Sequence, residues 1–441
     1  MSSFPDHAMA RTITTSDVYG AINNNEDHAP RASVDPVAQM RQEDHDVVET
    51  TLSHIDAIMQ HVSTHPNQPL QPPKECPATS LFDCLRIGSR NSKLALIQAS
   101  SVAAALFKVH SHYTFPISTH KVQGDADKQS PFLKLAAMYK DTPDAAKSLW
   151  TVEIEERLLA GEIGVIVHSL KDVPTVLPGG CTLGVFPHRQ DPTDAFVVRA
   201  DCPYRTLEQL PRGSVVGTSS VRRTAQLKHF YPHLNIKECR GICLYQIPIS
   251  QTDVNISDSR LAKLDAPNSP YTAIVIATAG LVRLNLEHRI TTRLCGPEFL
   301  HAVGQGALGI EICSTDEKTR ELIKPLDHRP TRFRCLAERS LLRYLQGGCS
   351  APIGVQSSFQ SDTSTASIID PSLDEGGVLC LTGAVLHPHG GIEIRAHSSS
   401  SVASDVDAEA LGVVVAKRIL ELGGDALLAL VKDPQILPRG Q

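Results

Sequence analysis

From Leu85 onward the chain alternates short apolar runs with amphipathic stretches, and this alternation limits the possible folds more than any other property of the sequence. Leu85-Arg86-Ile87-Gly88 reads as a strand leading into a helix from about Lys93 to His110. Ile163-Gly164-Val165-Ile166-Val167 reads as a buried strand that follows a helix from Leu149 to Leu159. The order repeats at Ser214-Val215-Val216-Gly217 with Ala225 to Phe230, and at Ala273-Ile274-Val275-Ile276 with Gly280 to Leu286. Short apolar strands, each followed by a helix, predict α/β layers in which helices cover a mostly parallel sheet. After about residue 328 the order changes. A helix around Thr331 to Leu345, strands over Val378 to Leu386 and Gly391 to His397, and a helix from about Ala408 to Leu430 predict a small α+β domain. The Ser/Asp-rich stretch from Ser357 to Glu375 reads as a surface loop.

Residues 1–84 lack this pattern. They are rich in Asn, Asp, His, Ser and Pro, with one short helical pattern around Val47 to Val62, and read as a disordered acidic extension. His61 and His65 stand at helical spacing, but with no Glu or Cys nearby they read as exposed polar residues, and no metal site is expected. The extension holds 12 acidic and 4 basic residues, so the formal charge of −6 belongs to it. The 36 acidic and 38 basic residues that remain leave the body near neutral, which argues against a nucleic-acid partner. No apolar run reaches the length of a membrane span, and no basic or Arg-rich leader precedes the body, so a cytoplasmic protein is expected. The 11 cysteines, scattered from Cys76 to Cys380 without CxxC spacing, read as reduced thiols.

Chemistry is expected where elements end. Gly217-Thr218-Ser219-Ser220-Val221-Arg222-Arg223 joins a strand to a helix and offers free N–H groups, hydroxyls and two guanidinium groups for an anion. Serines there are equally ordinary helix caps. His168-Ser169-Leu170-Lys171-Asp172-Val173-Pro174 follows a buried strand. Asp172 beside Lys171 can stay ionised and stabilise a developing cation, or it can be a turn residue; His168 reads as structural. Arg90, Arg240, Arg260 and Arg283 also stand at element ends, and gathered around one cleft they would bind a ligand with many carboxylates. Gln346-Gly347-Gly348-Cys349-Ser350 exposes a thiol between two Gly and Pro352. Ala302-Val303-Gly304-Gln305-Gly306-Ala307-Leu308-Gly309-Ile310-Glu311 lacks the spacing and lysine of a phosphate loop and reads as a hinge crossing between domains.

Together the motifs HSLKDVP (168–174), DPTDAF (191–196), GTSSVRR (217–223), AVGQGALGIE (302–311) and AERSLLRYLQGGC (337–349) resemble the hydroxymethylbilane synthase, or porphobilinogen deaminase, family. The resemblance implies two periplasmic-binding-protein-like α/β lobes plus a small C-terminal α+β domain. Domain 1 would take residues 85–192 and 307–327, domain 2 residues 193–306, and domain 3 residues 328–441. It implies a transferase that condenses four porphobilinogen molecules onto a dipyrromethane cofactor held as a thioether on Cys349, then releases linear hydroxymethylbilane by hydrolysis. Asp172 matches the catalytic aspartate, stabilising the cation left as ammonia departs. Lys171, Ser219, Ser220, Arg222, Arg223 and Arg240 match cofactor-binding positions, and Lys147, the lysine of a mobile active-site loop, is grouped with them. Arg90, Ser92, Gln98, Arg260 and Arg283 match positions lining the substrate and chain-growth cleft. A monomer with no nucleic-acid or membrane partner is implied.

Two departures stand out. Where the family pattern has Arg-Gly-Asn closely followed by Thr-Arg-Leu, here Arg240-Gly241 is followed by Ile242, and the pattern resumes only at Ser259-Arg260-Leu261. The extra residues, near 242–256, are either an outward loop or untranslated sequence, and if they spoil the cleft the chain would be a catalytically impaired two-lobed binding protein for carboxylated ligands. The lesser departure is Val152, where the family often has Lys.

Overall fold

The computed structural model describes residues 83–120, 151–239, 259–346, 351–361 and 376–432. Its first elements are β1 (Asp83–Cys84), β2 (Ile87–Arg90), α1 (Lys93–Val109), β3 (Tyr113–Thr114), β4 (Ile117–His120), α2 (Val152–Leu159), β5 (Val165–Ser169) and β6 (Cys181–Val185). Then follow β7 (Asp194–Val198), β8 (Val215–Gly217), α3 (Val221–Phe230), β9 (Asn235–Lys237), α4 (Ser259–Asp265), β10 (Ala273–Ala277), α5 (Thr278–Arg283) and β11 (Thr292–Leu294). The chain continues through β12 (Leu308–Cys313), α6 (Glu317–Ile323), α7 (Arg329–Tyr344), β13 (Ile353–Ser361), β14 (Gly377–Leu386), β15 (Glu393–Val402), α8 (Asp405–Glu421) and α9 (Gly424–Lys432). The acidic extension up to residue 82, its helical pattern and its histidines lie outside the described residues, as does the stretch 240–258.

Two five-stranded sheets have the orders β4-β2-β5-β12-β6 and β11-β7-β10-β8-β9. In each, four strands run one way and one runs against them, β12 in the first sheet and β7 in the second. Those two opposed strands are the ones the chain enters on passing from one sheet to the other and back. Both sheets are covered on both faces, which is why their central strands are apolar throughout. In the first, α1 packs Ala99, Val102 and Leu106 with Ile87, Val165 and Ile310, while α2 sets Ile154 and Leu158 against Ile166 on the other face. In the second, Leu227 of α3 joins Phe196, Val216 and Val275, and α4 covers Ile274 and Ile276 with Leu261 and Leu264. His168 is buried, its Nε2 2.8 Å from Glu311 Oε2 on the neighbouring strand, a structural pairing as expected.

The third sheet, β13-β14-β15, is an antiparallel meander. Its apolar face, with Val355, Leu379, Leu381 and Val385, buries Phe333 and Leu341 of α7 together with Val415 and Ile419 of α8. Two expectations are corrected here. Residues 357–361, assigned to a loop, finish strand β13, and the single C-terminal helix is two, broken where Gly423 takes a φ of 94° that a side chain would strain.

The crossings between the first two sheets, near 186–193 and 301–307, lie side by side. Gln190 N–H donates to the Gly306 carbonyl at 3.3 Å, and the Gln305 amide donates to the Pro192 and Thr193 carbonyls at 2.6 and 3.1 Å. Gly306 has a φ of 83°, and a Cβ there would come within 2.3 Å of the Gln190 oxygen, so the close approach requires glycine. This Gly-rich stretch is the crossing from β11 of the second sheet to β12 of the first. Glu338 of α7 fixes the same point from the third sheet's side. It accepts from Arg189 Nη1 and Nη2 at 2.7 and 3.0 Å and from Gly304 N–H at 2.9 Å, wholly buried. Burial alone would raise the Glu338 carboxyl, but Arg189 beside it holds it down to about 2.

Glu338→Ala is therefore expected to cost about 3–5 kcal/mol, because it leaves a guanidinium buried without its carboxylate. Since the folded pKa lies below the unfolded value, the wild type's share of this stability is complete above about pH 4.5 and fades as pH falls toward 2. Denaturant titrations at pH 7 and pH 3 check it: the gap between wild type and variant narrows at pH 3, and an equal gap contradicts the account.

Candidate functional site

In open α/β sheets the groups that meet ligands stand beyond the carboxyl ends of the strands. Here β5 ends at Ser169 and passes into a single 3-10 turn, Leu170–Asp172, while β10 ends at Ala277 and opens α5. Between these ends lies a cleft. Ser169 and Lys171 line it from the first sheet, Ile276, Ala277 and Arg283 from the second, Arg260 from α4, and Gln305 and Gly306 from the return crossing. Both sheets and the hinge thus contribute to one site, and its three cationic side chains make it an acceptor of anions.

Its electrostatics follow from crowding. Burial lowers the pKa of Lys171, Asp172 and Asp194 oppose the shift, and Arg223 and Arg260 add to it. Arg283 donates to the Gly306 carbonyl at 2.8 Å, and burial pulls its guanidinium down to about 10. Both shifts mean that a ligand carboxylate would relieve charge crowded into low dielectric. Asp172 is half-buried and directly follows the lining residue Lys171, where its charge opposes the lowering of the lysine's pKa.

The GTSSVRR segment folds as a strand end and helix start. Ser220 caps α3, accepting from Arg223 N–H at 3.4 Å, Thr218 Oγ1 accepts from Ser220 N–H at 3.3 Å, and Ser219 is exposed. The carboxylate that the two adjacent arginines call for is supplied from within. Arg222 Nη1 donates to Asp194 Oδ2 at 2.7 Å, and Arg223 donates through Nε and Nη2 to Asp194 Oδ1 at 2.9 and 2.6 Å. Burial would raise the Asp194 carboxyl, yet the two guanidinium groups hold it far below the usual range. Arg222 keeps one buried Nε with no partner among the described residues.

The other candidates sit around this core. Arg90 ends β2 and Ser92 caps α1, accepting from Ala95 N–H at 3.4 Å. Gln98 is buried and exchanges hydrogen bonds with Ser169 at 2.8 and 3.0 Å, so it stands behind a lining residue. Arg260 reaches the cleft although the anomalous stretch enters the chain directly before α4. Cys349, Arg240 and Lys147 lie outside the described residues. Sequence reasoning did not single out Asp194, Gln305 or Ser169. Asp194 had a signal: a carboxylate opening an apolar strand, Ala195 to Val198, needs a cation, and Arg222-Arg223 is an unmatched pair.

Comparison with known proteins bears on this arrangement. The family model described as "Porphobilinogen deaminase, dipyromethane cofactor binding domain" matches residues 85–321, a span that runs through the anomalous stretch, and "Porphobilinogen deaminase, C-terminal domain" matches residues 332–421. The porphobilinogen deaminase of Yarrowia lipolytica is 42% identical over 347 residues, 78% of this chain and 91% of that protein. That of Schizosaccharomyces pombe is 40% identical over 342 residues, 78% and 93% of the two chains. The protein of the same name from Synechococcus elongatus is 41% identical over 344 residues, 78% and 94%.

Proposed function

This chain belongs to the porphobilinogen deaminase family, and from that premise we propose how its own residues carry the reaction. It is a hydroxymethylbilane synthase, a transferase of tetrapyrrole biosynthesis that condenses four porphobilinogen molecules stepwise onto a cysteine-linked dipyrromethane and releases linear hydroxymethylbilane by hydrolysis. The observation that carries the residue assignment is the convergence of Lys171, Arg260 and Arg283 on one cleft, with Asp172 the next residue after Lys171 in the same 3-10 turn.

A dipyrromethane made from two porphobilinogens carries four carboxylates, and the donor set suits it: cations crowded by burial, and an Arg222 Nε with no partner among the described residues. When bound, the group supplies the pyrrole carbon to which new rings are joined. Cys349 holds it by a thioether. Lys171, Ser219, Ser220, Arg222, Arg223, Arg240 and Lys147 neutralise and orient its carboxylates, with Asp194 keeping the two adjacent arginines rigid. Arg260, Arg283 and Arg90 take the carboxylates of incoming substrate and growing chain, while Ser92 and Gln98 hold α1 and Ser169 in place. Asp172 accepts a hydrogen bond from the substrate pyrrole N–H and stabilises the positive charge that develops on the ring as its C–N bond breaks and ammonia leaves. In this reading the protein is a cytoplasmic monomer; among the described residues no helix is long and apolar enough to cross a membrane.

The test is turnover of porphobilinogen by the full chain and by one lacking residues 242–256. If the extra residues are an outward loop, the two are expected to agree within about three-fold. An inert full chain beside an active shortened one contradicts the reading and makes the insert an inhibitor of the site.

A further inference from the structure

We propose that Arg339 is a positioning residue for Asp172, fixing from the third sheet's helix the turn that carries this carboxylate beside the lining residue Lys171. The inference rests on the assignment of Asp172 above. Asp172 ends a single 3-10 turn, and such a turn has little internal bonding, here one closure from Val173 N–H to the Leu170 carbonyl at 3.1 Å. Its direction is therefore set by what grips its two ends. At the start, Leu170 N–H donates to the Ala307 carbonyl at 3.0 Å, tying the turn to the return crossing. At the far end, Arg339 Nη2 donates to the Pro174 carbonyl at 2.6 Å and Nη1 to the Val173 carbonyl at 3.3 Å.

Arg339 is 5% exposed, so these bonds are made away from water, where they are strong and where leaving them unmade is costly. Two successive carbonyls match the two outer nitrogens of one planar guanidinium, and a lysine ammonium cannot span them in the same geometry. The preceding residue, Glu338, fixes the hinge through Arg189 and Gly304. One helix therefore sets both the angle of the crossing and the aim of Asp172. The guanidinium meets the chain behind Asp172, at Val173 and Pro174, and acts through that turn.

The test is a double-mutant cycle on cofactor-loaded protein, with loading checked by intact mass and folding by thermal melting. Arg339→Lys is expected to lower kcat about 10- to 100-fold with KM little changed, the scale for a misplaced catalytic group. In an Asp172→Ala background the same change is expected to lower the residual kcat less than about two-fold, because the group it aims is gone. A role limited to holding the third sheet in place would lower kcat equally in both backgrounds, and that result overturns the proposal. Wild-type kcat in Arg339→Lys overturns it too. Should the Lys variant melt too early to assay, Arg339→Gln, which keeps one donor, completes the cycle. The Asp172→Ala single variant reports separately on the premise: wild-type turnover there removes the assignment of Asp172, whatever Arg339 does.

Discussion

Cys349→Ser is expected to purify at the mass of the bare chain and to show no turnover of porphobilinogen above background. The primer must survive repeated condensation and the final hydrolysis, which demands a stable bond from a strong nucleophile. A thiolate is accessible near neutral pH and forms a thioether readily; a serine hydroxyl is not ionised there and is far less nucleophilic. Serine differs from cysteine by oxygen in place of sulfur, so the change alters reactivity with little change in bulk. Since other thiols exist in the chain, the measurement is intact mass combined with a turnover assay. Extra mass on the Ser variant, mapped to a different cysteine, would mean that the attachment point has been misassigned.

Asp172→Ala is expected to behave in the opposite way, carrying the full cofactor mass while losing about 10²- to 10⁴-fold in kcat. That is the range for removing one group that stabilises charge or transfers a proton in the transition state. The cations of the cleft attract carboxylates but cannot stabilise a positive ring, and Asp172 is the carboxylate that directly follows the lining residue Lys171. Asn at this position keeps an acceptor for the pyrrole N–H and loses the charge, so Asp172→Asn should fall between Ala and wild type. An Asn variant as active as wild type would mean that hydrogen bonding alone suffices.

How much of this was legible depends on where each residue's partner lies in the sequence. β5, β10 and β12 announce themselves because both faces are buried and the runs are almost unbroken, as in Val165-Ile166-Val167. β13 hid for the converse reason. Its inward positions read Ile353, Val355, Ser357, and the serine faces inward to donate to the buried Glu338, which erases the apolar alternation at mid-strand. The crossing is visible in the glycines of residues 304–309, yet its charged fastening is not, because Arg189 and Glu338 are 149 residues apart. At the site, Arg222-Arg223 reads from spacing as a pair for a ligand anion, and the carboxylate that the structure sets against it lies inside the chain, 28 residues before Arg222 at Asp194. Spacing exposes local chemistry and leaves partners brought together by the sheets unseen.

The central claim is that one cleft, built from both sheets, the hinge and a tethered primer, does the chemistry. Intact mass spectrometry of wild type, Cys349→Ser and Asp172→Ala, each before and after incubation with porphobilinogen and with released product quantified, tests it most directly. The account predicts a wild type heavier than the bare chain by the dipyrromethane and releasing hydroxymethylbilane, a Ser variant at bare-chain mass with no product, and an Ala variant with the wild-type excess and almost no product. A wild type at bare-chain mass that still makes product, or an Ala variant that releases it at the wild-type rate, contradicts the account.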